Sequence, residues 1–337
     1  MANNYWKNRA LMRKVKGELA GIKIASNVLP IYDEALENIR KEINSIYVKY
    51  SNKTGLDVGE LGKILSGVDR KEYLKSIKVN MLKRGLKLED FYDKNYISQL
   101  TRLEAIKQQI YWEIQGIAPR VNMAQNRGYE GIVRDSYREA REDIRLQKGG
   151  SVTFADMGKN EVNQVLNSTW EGGNYSTRTF GNIKGFAVKA RNIIGGGLSI
   201  GMSSQKMARQ IVERFDVAKY DAMRLIRTET NYFQNQAELQ SYIDEDIEYY
   251  KVLAVADRCK HICAEKEGLP PIRVVDASAG DNFPPFHPNC RCSTLIVFDN
   301  EVKKEKMVNV GNKSDDMWKE IYETQMKGLV EQGFKRR

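Results

Sequence analysis

The stretch that decides the fold is DRCKHICAEKEGLPPIRVVDASAGDNFPPFHPNCRC, which runs from Asp257 to Cys292. It contains all 4 cysteines and both histidines of a chain of 337 residues. Two cysteine pairs that flank a loop rich in proline and glycine can draw the ends of that loop together, through thiolates bound to a metal or through disulfides. The sequence therefore predicts a small closed substructure here.

The residues on either side of this stretch predict two β-strands. Residues 249–255 and 293–298 are mostly apolar, aromatic or β-branched, and Asp299 and Asn300 end the second run. The prolines between them exclude a helix just before the second run, because they lack amide donors and push the preceding residues toward extended conformations. We expect a β-hairpin with the Cys/His cluster at one end.

The Cys/His cluster has three structural interpretations. Tetrahedral zinc takes four sulfur or nitrogen ligands. The candidate ligands are Cys259, Cys263, His287, Cys290 and Cys292. A disulfide would have to join the two arms, because neighbours as close as Cys290 and Cys292 are bridged only with strain. In the third interpretation the thiols stay reduced and pack in the interior. A catalytic zinc would need an open ligand position and a general base, for which Glu265 and Asp281 are the local carboxylates.

A second candidate site lies on a predicted helix over residues 218–243, which follows a predicted helix over 204–215 capped by Ser203. Glu229 falls within an otherwise largely apolar stripe of the later helix. A carboxylate in such a position needs a partner, and Arg178 or Arg258 could supply paired hydrogen bonds. We interpret Glu229 as part of a structural ion pair, with a general base or metal ligand as the alternative.

The first half of the chain predicts helices. Apolar residues recur at helical spacing on both sides of Pro30, over 73–82, over 97–117 and over 121–146. We therefore expect residues 1–147 to form an elongated helical region of the kind used for interactions. Lys148-Gly149-Gly150-Ser151 predicts a linker. Residues 151–300 then form a second domain, and 301–337 a polar linker with a C-terminal amphipathic helix. The predicted fold class is mainly α with a small β-hairpin near the C-terminus.

Composition indicates an ordinary soluble protein with a moderate basic excess. Lysine and arginine number 54 against 44 acidic residues, which gives a net charge of +10. Such an excess favours a polyanionic partner. No run approaches the roughly 20 apolar residues needed to span a bilayer, and the first residues lack the apolar core of a signal peptide. We expect a cytoplasmic site of synthesis, where reducing conditions favour metal binding or free thiols over disulfides.

Several segments share an order that is typical of one protein family. The most specific is PPFHPNCRC at residues 284–292, preceded by Asp257-Arg258 and the first cysteines. Upstream, WEGGNYS at 170–176 with Arg178, GLSIG at 197–201 and LIRTE at 225–229 follow in order. This pattern resembles the phage head morphogenesis family, the Mu F-like minor head proteins of tailed bacteriophages. The NYWKNR opening at 4–9 is similar to members from phages of Gram-positive hosts. One departure is that Lys260 stands where many relatives have their first cysteine.

The resemblance implies a virion component, not an enzyme. It implies a minor capsid protein that associates with the portal inside the procapsid and takes part in head assembly and in DNA packaging or ejection. The implied partners are the portal protein, scaffolding or major capsid protein, and packaged DNA contacted non-specifically through its phosphates. The implied location is the host cytoplasm during assembly and then the head interior at the portal vertex. The alternative is a metal-dependent nuclease or hydrolase built on the Cys/His cluster.

Overall fold

The structure is a computed structural model that describes residues 2–53, 55–151, 156–255 and 262–298. Its helices are α1 (Ala2–Tyr50), α2 (Val58–Leu61), α3 (Gly67–Lys83), α4 (Lys94–Ser98), α5 (Arg102–Gln115), α6 (Ala118–Gln147), α7 (Lys159–Asn167), α8 (Tyr175–Ser199), α9 (Ser204–Asp244) and α10 (Ile262–Glu267). Its strands are β1 (Ser51–Asn52), β2 (Gly55–Leu56), β3 (Tyr249–Leu253), β4 (Ile272–Arg273) and β5 (Ser293–Val297). The predicted class, mainly α with a small β component, is confirmed. The predicted C-terminal helix lies outside the described residues.

Two helices are more continuous than the sequence predicts. α1 runs through Pro30 without a break, and the residues around it that face the interior, such as Val28 and Tyr32, are buried. That burial offsets the amide hydrogen bond that proline removes. The two helices predicted at 204–215 and 218–243 are in fact one helix, α9. The prediction was wrong because nothing between them, Asp216 and Val217 included, breaks a helix.

The predicted apolar stripe over residues 97–117 is instead divided between two helices. α4 ends at Ser98, and α5 begins after Thr101, whose side chain accepts a hydrogen bond from the amide of Glu104 at 3.2 Å. A threonine cap of this kind satisfies an amide that the first helical turn leaves free, so it fixes a new helix start. None of the described helices has both the length and the apolar content needed to cross a membrane.

The chain divides into two compact units that each combine distant segments. Unit 1 comprises residues 1–21, 129–172 and 227–337, and unit 2 comprises 22–128 and 173–226. In unit 2, α5 packs along α8 and against α3. Trp112 is buried there and donates from its indole nitrogen to the Tyr92 hydroxyl at 3.0 Å. The domain boundaries that the sequence suggests stay a prediction.

Unit 1 contains the sheet that positions the Cys/His cluster. β3 is the central strand, with β4 and β5 paired antiparallel on either side of it. In the β3–β5 pair Tyr249 faces Val297 and Leu253 faces Ser293. The predicted hairpin strands are thus confirmed, whereas β4 was missed because two residues carry no alternating pattern. Tyr250 and Phe283 are fully buried in the same cluster as the cysteines. Their rings pack edge to face, with the ring centroids 5.3 Å apart.

Candidate metal centre

Three of the predicted ligands converge at one end of this sheet. Cys263 is the second residue of α10, and His287 and Cys290 lie in the proline-rich segment that leads into β5. The Cys263 Sγ is 3.2 Å from the His287 Nε2 and 3.9 Å from the Cys290 Sγ. One ligand atom from each of the three residues lies within 4.8 Å of the others. The structure therefore brings together two thiols and an imidazole from both arms of the loop.

The hydrogen bonds of His287 leave one of its nitrogens suited to a metal. Its Nδ1 lies 2.8 Å from the backbone carbonyl of Pro288. A carbonyl only accepts, so the proton of the neutral ring belongs on Nδ1, and the lone pair of Nε2 then points toward Cys263. Metal-bound histidines in proteins usually have this arrangement, with the second nitrogen donating to a carbonyl or carboxylate.

The contact between Cys263 and Cys290 shifts the pKa values of the two thiols in opposite directions. Hydrogen bonding with Cys290 raises the pKa of Cys263, and the same contact lowers the pKa of Cys290. His287 also contributes to the lowered pKa of Cys290. Because a thiolate is the form that binds metals, the lowered pKa of Cys290 favours the ligand form of that side chain.

The turn that contains Cys290 is fixed against helix α9. Asn289 adopts the left-handed conformation with φ 61°, and its amide donates to the Thr228 hydroxyl at 3.0 Å. The Cys290 amide donates to the His287 carbonyl at 3.0 Å. Further along, the Asn235 side chain donates to the Cys292 carbonyl at 3.1 Å. α9 therefore sets the position of the arm that carries His287, Cys290 and Cys292.

The donor set and its spacing fit tetrahedral zinc. Two thiolates on one zinc ion, each about 2.3 Å from it, lie about 3.8 Å apart, close to the separation of Cys263 and Cys290. Cys263, Cys290 and Cys292 are buried free thiols. Cys292 contributes to the pKa shifts of both other thiols but lies outside the group of three. Cys259 is outside the described residues, and the fourth ligand stays a prediction.

The carboxylates considered as general bases stand apart from this cluster. Glu265 is exposed on α10, and Asp281 is exposed and pairs with Lys266 at 3.6 Å. Neither belongs to the group of potential ligands among the described residues.

Glu229 is buried as expected. Its side chain is 1% exposed, and the Trp170 indole donates to its Oε2 at 3.4 Å. Trp170 in turn stacks on Tyr232, with ring centroids 5.6 Å apart. Arg178 belongs to unit 2, whereas Glu229 belongs to unit 1, and Arg258 lies outside the described residues. The proposed ion pair therefore stays a prediction.

Sequence reasoning missed a buried lysine near the cysteines. Lys14 on α1 is fully buried, and its Nζ contacts the side-chain oxygens of Asn231 and Gln234 on α9. The sequence held a signal, because Lys14 falls between Leu11 and Val15 in the apolar stripe of α1. A lysine on an amphipathic helix ordinarily faces solvent, and the burial of Lys14 departs from that rule.

Comparison with known proteins supports the resemblance found in the sequence. A family model described as phage Mu protein F like protein matches residues 189–295. The match contains all of α9, the sheet up to the third residue of β5, and the described Cys263, His287, Cys290 and Cys292. Neither the curated proteins nor the solved structures gave a significant match. Over residues 189–295 the chain is therefore similar to the phage Mu protein F-like proteins, a phage head morphogenesis family.

Proposed function

We propose that this head morphogenesis protein is a minor capsid protein that associates with the portal inside the procapsid. In this role it takes part in head assembly and in DNA packaging or ejection. The observation that carries the proposal is the family match over residues 189–295, which covers the Cys/His cluster and the helix that supports it. The long helix α1 and the first half of α9 leave apolar side chains exposed, Met12 and Tyr220 among them, on which neighbouring head proteins can pack.

Binding to the purified portal ring tests this assignment. The full chain is mixed with portal rings of the same phage, or with its major capsid protein, and the mixtures are separated by sedimentation. We expect the chain to sediment with the portal ring at a fixed stoichiometry and not with the isolated capsid protein. Sedimentation with neither protein would contradict the proposal.

A structural zinc ion is the second part of the proposal. The ligands would be Cys263, His287 and Cys290, with Cys292 or Cys259 as the fourth. When bound, zinc would join α10 to the segment before β5 as a cross-link between the two arms of the loop. A small sheet of three short strands has a limited core, so such a cross-link would add directly to its folding free energy.

Elemental analysis combined with thiol variants tests the metal. We expect about one zinc per purified chain, and loss of zinc together with a lower melting temperature in Cys290→Ser. Val252→Thr is the matched control, because it adds a hydroxyl to the same buried cluster and removes no ligand. Cys259→Ser and Cys292→Ser are then compared, and the variant that loses zinc identifies the fourth ligand. A metal-free wild type with the melting temperature of Cys290→Ser would contradict the assignment.

A further inference from the structure

The buried contact between Lys14 and Asn231 brings a primary amine against a carboxamide. Both residues are 0% exposed, and they are 217 positions apart in the chain. The Lys14 Nζ contacts the Asn231 Oδ1 and lies 3.2 Å from the Gln234 Oε1. α1 approaches α9 closely here, since a Cβ on Gly17 would overlap the Gln234 side chain. The amine is thus held at an amide carbonyl in a tightly packed interior.

The side-chain oxygen of Asn231 is hydrogen-bonded, whereas its side-chain nitrogen is not. Its Oδ1 accepts from Lys14 and also from the Asn235 Nδ2 at 2.7 Å. Its Nδ2 is buried and has no hydrogen-bond partner among the described residues. The Asn235 donor, which stays on the oxygen while Lys14 attacks the carbon, polarises the carbonyl and makes its carbon a better electrophile. A buried amide nitrogen without a partner is costly and calls for an explanation.

The surroundings suit a neutral amine. Burial lowers the pKa of Lys14, against the opposing effect of nearby carboxylates and thiolates, so the nucleophilic form is reached more easily than on a surface lysine. Glu238 is one of those carboxylates. It is fully buried and lies two helical turns after Asn231 on the same face of α9.

We propose that Lys14 and Asn231 form an intramolecular isopeptide bond. The Lys14 Nζ attacks the Asn231 Cγ, a carbon–nitrogen bond forms, and the bond from Cγ to Nδ2 breaks. One amine proton passes to the departing nitrogen, which leaves as ammonia. The second amine hydrogen remains on the new amide. No oxidant, metal or cofactor is needed, and the unpartnered nitrogen of Asn231 is the atom that departs.

The cross-link would tie α1 to α9 covalently within unit 1. Closing a loop of this length restricts the unfolded chain in the same way as a disulfide, and it would do so in a reducing compartment. This inference does not depend on the metal or on the portal, because all of its residues act within unit 1.

Intact-mass spectrometry of the full chain, reduced and denatured in acid to release any metal, tests the proposal. We expect the wild type to be lighter than its sequence mass by one ammonia. Lys14→Met should keep its full sequence mass. Asn231→Asp should lose one water instead, because the acid and the amide converge on the same product. Tryptic digestion should join the peptide cleaved after Arg227, which carries Asn231, to a peptide from α1.

Three results of the mass measurement would overturn the proposal or its assignment. A wild type at full sequence mass after prolonged incubation in the folded state would overturn the proposal. An ammonia loss that persists in Lys14→Met would also overturn it, since it would then come from elsewhere in the chain. Fragment ions that place the junction on Gln234, the other carboxamide in contact with Lys14, would overturn the assignment to Asn231.

Discussion

At the scale of single residues, Glu229 illustrates how the core of unit 1 depends on polar groups. It is buried beside Trp170, which donates to it. We expect Glu229→Gln to lower the free energy of unfolding by roughly 2 kcal/mol, because a buried hydrogen-bonded carboxylate loses partners that an amide cannot replace. Thermal unfolding and soluble yield are the measurements.

Glu37→Gln is the matched control for Glu229→Gln. The Glu37 side chain is 56% exposed and lies 4.0 Å from Arg40, so its removal should change the unfolding free energy by less than about 0.5 kcal/mol. If Glu229→Gln folds like the wild type but abolishes a measurable activity, then Glu229 is a functional group and the structural interpretation is wrong.

Glu245 gives the protein a predictable response to acid. Burial alone would raise the pKa of Glu245, but hydrogen bonds from Arg141 and Arg145, at 2.6–2.8 Å, lower its pKa below the ordinary value of 4.5. The unfolded chain therefore binds a proton at a higher pH than the folded one. The stabilisation is present above about pH 4.5 and is lost as the pH falls through the lowered folded-state pKa.

Urea unfolding of Glu245→Gln across the acid range measures this effect. We expect the variant to be less stable than the wild type near neutral pH, and we expect the difference to shrink as the pH falls to about 3. A difference that is the same at every pH would mean that the carboxylate charge of Glu245 contributes nothing and that only its shape matters.

The candidate site could be predicted at the residue scale only where its members are close in sequence. Cys263, His287 and Cys290 stand within 30 positions of one another, and the scarcity of cysteine and histidine elsewhere points to them. Lys14 and Asn231 are in contact although they are 217 positions apart in the sequence. No local sequence pattern predicts such a contact. The missed residues are those whose environment is set by helix packing.

At the scale of elements, the contact of α1 with α9 depends on glycine. A Cβ on Gly21 would lie 2.9 Å from the Thr230 hydroxyl, which is buried. We expect Gly21→Ala to destabilise the protein by about 1–3 kcal/mol, because overpacking outweighs the better helix propensity of alanine. Thermal or chemical unfolding measures it.

Gly131 provides the comparison for Gly21. It lies in the middle of α6, and an added Cβ would meet nothing within 4 Å. Gly131→Ala should therefore stabilise the protein by up to about 1 kcal/mol through helix propensity alone. A Gly21→Ala variant that is as stable as the wild type, or more stable, would contradict the close approach of α1 and α9.

The elements themselves were largely predictable, and the failures have physical causes. Long amphipathic helices and the two main strands have clear periodicity, so α1, α6, β3 and β5 follow from it. The small strand β4 does not, because tertiary pairing decides it, and the continuity of α9 was missed although no residue near its middle breaks a helix. A two-residue strand exists only because β3 offers it hydrogen bonds.

At the scale of the whole molecule, the net charge of +10 favours a polyanionic partner such as DNA. We expect retention on double-stranded DNA at low salt and release as salt rises, with log K falling by about 0.9 per unit of log salt for each phosphate contacted. Columns carrying DNA of unrelated sequences should retain the chain equally, because phosphate contacts carry no sequence information. Retention that is independent of salt would contradict this electrostatic account. Absence of retention at low salt would leave an assembly role through protein contacts alone.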